Sequence, residues 1–184
     1  MKLSLNWIRD YVDLPEDLTV DRLAYDLTMS TVEVEGAENL ADGLKGVVLG
    51  RIVEVTPHPQ ADRLRVVLCD VGSGEPSTIV CGGVNLEPGQ LVAVAVPGAM
   101  VRWHGEGDPV EIKATKLRGV MSNGMICSSG EIGLEELFPA AREAEIMDLS
   151  GFAGLPGDSI AKVLDLDDTI LEIDNKSLTN RPDL

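Results

Sequence analysis

Gln90–Gly98 reads QLVAVAVPG. Both parities of this segment are apolar and small. A half-buried strand alternates apolar with polar residues, so this one is covered on both faces, as on the inside of a tight barrel. Pro88-Gly89 supplies the turn that opens it. Upstream, GVVLGRIVEV (46–55) sets Val47, Leu49, Val53 and Val55 at one parity, with Arg51 an exception among them. In RLRVVLCDV (63–71), Leu64, Val66 and Leu68 share one face and Arg63, Arg65 and Val67 the other. GSGEP (72–76) then turns the chain into STIVCGG (77–83), a hairpin signal. Downstream, a looser WHGEGDP (103–109) precedes EIKATKLRGV (111–120) and SNGMICSSGEIGL (122–134). Ser128 and Glu131 have the capping-box spacing of a short helix. About five strands with glycine-rich corners and one short helix predict a five-stranded barrel of the OB type.

The flanks differ. In LNWIRDYVDL (5–14), Trp7, Ile8, Tyr11 and Val12 share a helical face. Thr19 is placed to cap VDRLAYDLTM (20–29). TVEVEG (31–36) and TILEID (169–174) show the same apolar/acidic alternation. Linker-like LFPAAREAE (137–145) and GFAGLPGD (151–158) precede a short helix near SIAKVLDL (159–166). Neither flank is long enough to bury a core alone. The expectation is therefore a mostly β chain with α+β flanks. Residues 1–41 plus 151–184 form one small discontinuous α+β domain, with TVEVEG and TILEID as neighbouring strands. The barrel, 42–150, is inserted in it. Asn180 or Asp183 reads as a helix-start signal with no helix after it, which predicts a longer parent chain.

The 184 residues carry a net charge of −16 with 3% aromatics, so the core is aliphatic. The charge is uneven. Residues 47–135 hold seven Lys/Arg and ten Asp/Glu, a net of −3, and the remainder holds −13. Strong nonspecific nucleic-acid binding, which rests on phosphate neutralisation, is disfavoured. No run is long and apolar enough for a membrane span or a signal peptide, which predicts a cytoplasmic protein. Cys69, Cys81 and Cys127 lie in apolar runs and read as reduced, buried thiols. With two histidines and no CxxC, no zinc site is expected. There is no GxxxxGK[ST] loop, and GEGDPV is not a nucleotide fingerprint. His58, between two prolines, reads as part of a rigid turn. No catalytic residue and no metal ligand is assigned.

Candidate binding groups collect in two stretches. Lys116 and Arg118 read as ending a strand on one face. Ser122-Asn123-Gly124 reads as a polar turn, followed by Met125 and the capping Ser128. Cations, amides, hydroxyls and backbone N–H groups together suit phosphate and 2′-OH recognition; a solvated turn with a structural cap is the alternative. Arg63 and Arg65 either face a ligand or pair with Asp62, Asp70 or Glu54, with Arg65 the better placed to reach a phosphate. Asn85, after two glycines, either contacts a ligand or makes an Asx-turn. Trp103 is the one tryptophan of the strand-dense region, so stacking on bases contributes little.

HPQADRLRV, IVCGGVN, PGQLVAVAVPGA and KLRGVMSNGMICSSGEIGL, in that order over about 43–135, resemble the tRNA-binding OB module. The flanks MKLSLNWIRDYVDLP and DTILEIDNKSLTNRPDL resemble the start and first domain junction of the beta-subunit family of bacterial phenylalanine–tRNA ligases. The resemblance implies a non-catalytic, tRNA-binding or assembly portion of an α2β2 ligase, with tRNA and an alpha subunit as partners and neither DNA nor membrane. ATP and Mg2+ would serve the intact enzyme, outside this chain. It implies RNA-facing positions at Arg63, Arg65, Asn85, Lys116, Arg118, Ser122, Asn123 and Met125. The alternatives are a packing module with little RNA contact, or a free-standing tRNA-binding protein.

Overall fold

The computed structural model describes residues 1–142 and 144–174; Asn180 and Asp183 lie outside them. In chain order the elements are β1 (Lys2–Ser4), α1 (Leu5–Arg9), α2 (Val20–Ser30), β2 (Glu33–Asn39), β3 (Val47–His58), β4 (Ala61–Asp70), β5 (Ser77–Cys81), β6 (Leu91–Ala95), β7 (Met100–Arg102), β8 (Pro109–Glu111), β9 (Thr115–Leu117), β10 (Val120–Ser122), β11 (Met125–Ile126), α3 (Ile160–Val163) and β12 (Thr169–Asp174). The described chain is mostly β with few helices. It divides into two compact units, Met1–Ala41 with the chain from Asp167 on, and Asp42–Leu166.

In the smaller unit the sheet order is β1-β12-β2. β12 pairs antiparallel with β2, so the two alternating segments are neighbours. Their shared apolar face supplies Leu171 and Ile173, both buried. Thr19 Oγ1 accepts the Arg22 N–H at 3.3 Å and starts α2, satisfying a first-turn donor that the helix itself leaves free. Ser4 does the same for α1 at Trp7. The helix α1 stops at Arg9, and Trp7, Tyr11 and Val12 are exposed.

The larger unit is built on a five-stranded sheet of order β11-β6-β3-β4-β5. Its core gathers Ile52, Val67, Cys69, Ile79, Val92, Val94 and Ile126. On β4 the buried parity is that of Val67 and Cys69, the face that also holds Arg65. Gly50 faces the core, where a Cβ would lie 2.5 Å from Val94 Cγ2 and 2.7 Å from Cys69 Sγ. The register shifts between Ile52 and Glu54. The bulge exposes Val53, 49% accessible, and returns Val55 to the core, whereas alternation alone sets Val53 beside Val47 and Leu49.

Val47 and Leu49 are buried on the opposite face of β3. The segment after residue 151 lies against Leu49. Leu49 N–H donates to Asp158 O and Leu49 O accepts from Gly157 N–H, both at 2.8 Å. Gly154 lies against Leu49 and Val163. These bonds put residues 151–166 in the larger unit, whereas the sequence pattern assigns them to the smaller domain. β6 is buried throughout, as its double apolar character requires.

The sheet is not a closed barrel: among the described residues, no ladder joins its edges β5 and β11. Two bonds bridge the gap. Asn123 N–H donates to Thr78 O at 2.9 Å, and Ser122 Oγ accepts from Val80 N–H at 3.0 Å. β7 and β8 form a hairpin, and the stretch expected to be loose is mostly its connection, residues 103–108. Ser128 N–H and Oγ both donate to Glu131 Oε2, and the short helix expected there is a 3-10 helix at Gly130–Ile132.

Candidate nucleic-acid interface

β9 and β10 pair antiparallel with Leu117 opposite Val120. The two residues between them, Arg118 and Gly119, have φ of 44° and 96°. Positive φ at both central positions is the mark of a type I′ hairpin turn. Arg118 therefore sits in the turn, whereas the sequence pattern puts it on the strand beside Lys116. β9 is exposed along its whole length, so Lys116 and Arg118 both project from an exposed hairpin.

That hairpin meets the turn between β3 and β4. The His58 ring is 6% exposed. Its Nδ1 accepts the Gln60 N–H at 3.1 Å. An imidazole nitrogen that accepts carries no proton, so the neutral ring holds its proton on Nε2. Nε2 faces Leu117 O at 3.2 Å and donates to it. Arg118 Nη1 reaches Gln60 O at 3.5 Å, and a Cβ on Gly119 would touch the Gln60 side chain. HPQADRLRV and KLRG, 59 residues apart at His58 and Leu117, are thus held together at one end of the sheet.

The two arginines of β4 differ. Arg63 is exposed and joins none of the ion pairs among the described residues, which are Arg22–Asp26, Lys45–Asp42 and Lys113–Glu111. Arg65 is half-buried, and its Nη1 donates to the carbonyls of Asp62 and Leu64, each at 3.1 Å. Neither makes the ion pair with Asp62, Asp70 or Glu54 that the sequence allows. Arg65, the better phosphate candidate by sequence, is the one already engaged.

Three further candidates are used by the fold. Asn85 Oδ1 accepts Ile146 N–H at 2.8 Å and Asn85 Nδ2 donates to Ile146 O at 3.0 Å. A carboxamide offers the same donor–acceptor pair as a peptide group, so Asn85 acts as a one-residue strand partner. Both ends of its amide are thus engaged within the chain, in place of the Asx-turn. Ser122 is buried; besides accepting from Val80, its hydroxyl donates to Gly124 O at 2.9 Å. Met125 is half-buried and opposite Ala95 in the sheet. Asn123 has an exposed side chain, about 13 Å from Gly119 at the usual strand rise. Asn85 also lines a cleft of about 720 Å³ with Gln90, Phe138, Ile146 and Asp148, which the other candidates do not line.

The candidates that remain exposed are Arg63, Lys116 and Arg118, with the Asn123 amide just beyond β10. These exposed cations and the amide can contact phosphate and sugar, the groups that position a nucleic acid without reading its bases. The thiols offer no nucleophile. Burial pushes Cys69 up to about 12, with the Asp70 carboxylate adding to it. Burial likewise pushes Cys81 up to about 11 against hydrogen bonds from Gly83 and Gly82. No helix among the described residues is long and apolar enough to cross a membrane.

Comparison with known proteins identifies the family. The phenylalanine–tRNA ligase beta subunit of Methylococcus capsulatus is 43% identical over 95% of this chain and 20% of that protein. The Bacillus subtilis beta subunit is 42% identical over 94% and 21%. The chain thus spans about a fifth of the length of these relatives. The CsaA chaperone protein structure from Picrophilus torridus aligns at 14% identity over 62% of this chain and 90% of that one, with a TM-score of 0.42. Residues 47–147, within the larger unit, match the tRNA binding domain family. The chain belongs to that tRNA binding domain family.

Proposed function

We propose that the larger unit binds tRNA by backbone and shape through the Arg63–Lys116–Arg118 surface, with Asn123 at its margin. The observation behind this reading is the joining of the β3–β4 turn to the β9–β10 hairpin. It brings the exposed Arg118 against Gln60, three residues before the exposed Arg63, within the span that matches a tRNA binding domain. Arg65 and Met125 are secondary contacts, and Asn85 and Ser122 act on the fold. The unit is read as a partly open five-stranded barrel of the OB type, with Ser122 and Asn123 spanning its gap. The smaller unit is read as the discontinuous domain that receives it.

The parent of this chain, on the same reading, is the beta subunit of a cytoplasmic phenylalanine–tRNA ligase working with an alpha subunit. That enzyme would use ATP and Mg2+. The described residues do not fit either group: no cluster of three His, Cys, Asp or Glu among them is disposed to hold a metal, and the sequence has no phosphate-binding glycine loop. This portion contributes RNA contact and no chemistry.

About three phosphate contacts give a salt slope of roughly −2 to −3, so affinity falls about thirtyfold between 50 and 200 mM salt. Titration of tRNA by fluorescence anisotropy across that range tests this. Lys116→Glu with Arg118→Glu is expected to weaken binding and flatten the slope by about two. Submicromolar, salt-insensitive binding, or a double variant that binds like the parent, contradicts the proposal. The competing packing role draws support from Asn85 and Ser122, whose polar groups are spent internally. Deleting the unit from the intact ligase without loss of tRNA affinity would favour it.

A further inference from the structure

We propose that His58 is the positioning residue that holds the cationic hairpin in its RNA-facing geometry, an inference that rests on the tRNA-binding reading above. β9 is exposed throughout, and of β10 only Ser122, at the base, is buried. A two-stranded hairpin with so little buried apolar surface is marginal by itself. Its base is stitched to β5 through Ser122. Its tip is held by the buried His58 Nε2–H on Leu117 O and by the longer Arg118–Gln60 contact.

The tie is directional. Gln60 N–H occupies Nδ1, so the proton is fixed on the nitrogen that faces Leu117. The Pro57-His58-Pro59 sequence restrains the backbone from which the ring projects. The ring thus couples the two basic stretches, and Lys116 and Arg118 reach RNA from an ordered tip. Without the tie, the tip must be ordered at the expense of binding.

Two substitutions separate the bonds. Asn at 58 can keep an acceptor for Gln60 N–H but is too short for Leu117. Gln reaches the Leu117 carbonyl with its amide N–H. His58→Asn is expected to weaken tRNA binding about fivefold, the worth of one buried hydrogen bond. It should also flatten the salt slope toward that of the Lys116→Glu/Arg118→Glu variant and speed amide exchange at Val120. His58→Gln should restore all three. A global loss of stability would not change the salt slope of the folded fraction.

If His58→Asn binds and exchanges like the parent while Lys116→Glu/Arg118→Glu weakens binding, the positioning role is wrong and the RNA surface stands. If Lys116→Glu/Arg118→Glu has no effect on binding, the RNA surface is wrong, and with it the RNA-positioning role of His58. The parent gives a check that needs no variant. Its imidazole ¹⁵N spectrum should show the Nε2-protonated neutral tautomer with a protected ring N–H. An Nδ1-protonated ring overturns the tie.

Discussion

Asn85→Ala removes both bonds to Ile146. Ile146 is buried, 5% exposed, and its N–H and C=O each lose their partner. An unsatisfied buried polar group costs about 1–3 kcal/mol. The cleft beside Asn85 can admit water to part of the gap, so the expected loss is about 2–4 kcal/mol. For a unit the size of Asp42–Leu166, that lowers Tm by roughly 10 °C. Asn85→Asp sharpens the result: a carboxylate still accepts from Ile146 N–H but opposes Ile146 O, so it should recover little. Urea unfolding followed by circular dichroism measures the loss, and tRNA titration at a temperature where both forms are folded should find unchanged affinity. Destabilisation below about 0.5 kcal/mol would refute the strand-partner role. So would weakened tRNA binding at unchanged stability, which would return Asn85 to the ligand contacts.

Other consequences are as specific. Gly124→Ala should cost about 2–4 kcal/mol in urea unfolding, because φ is +137° and the new Cβ would lie 2.8 Å from Ala95 O. Native Cys69 and Cys81 should alkylate at pH 8 at least about a hundredfold more slowly than unfolded thiols, since burial holds them near 12 and 11. Because the folded thiols ionise later than the unfolded ones, stability is full below about pH 9 and falls as pH rises through these values. Burial pushes the Asp168 carboxyl up, but hydrogen bonds from Ser4, Asn6 and Thr169 outweigh it and leave it below the usual range. Its contribution is therefore present above about pH 4 and lost as pH falls further; Asp168→Asn should flatten that acid limb, read through Trp7 fluorescence.

Local signals in the sequence were legible because local physics sets them. Thr19 caps α2, the alternation of TVEVEG and TILEID makes β2 and β12, and the double apolar run makes β6. Long-range geometry was not legible. Nothing near Val53 marks the bulge that turns it outward, because the cause is its register against Cys69 and Leu68. Asn85 and Ile146 are 61 residues apart, so an amide after two glycines resembles a turn residue. Ser122 has the pattern of an exposed polar turn, yet the open sheet edge needs its hydroxyl. His58 reads by sequence only as a rigid turn; HPQ carries the acceptor–donor logic, but its partner, Leu117, arrives only when the hairpin folds over it. The cations are better read at the hairpin and at Arg63 than at Arg65, which folds back on the carbonyls of Asp62 and Leu64.

Chemical-shift mapping of the ¹⁵N-labelled chain with tRNA tests the central claim most directly. Salt-sensitive shifts are predicted at Arg63, Lys116, Arg118 and Asn123, with Asn85 and Ser122 quiet. Shifts centred on the Asn85–Ile146 cleft, or none at the hairpin, would contradict the proposed tRNA surface.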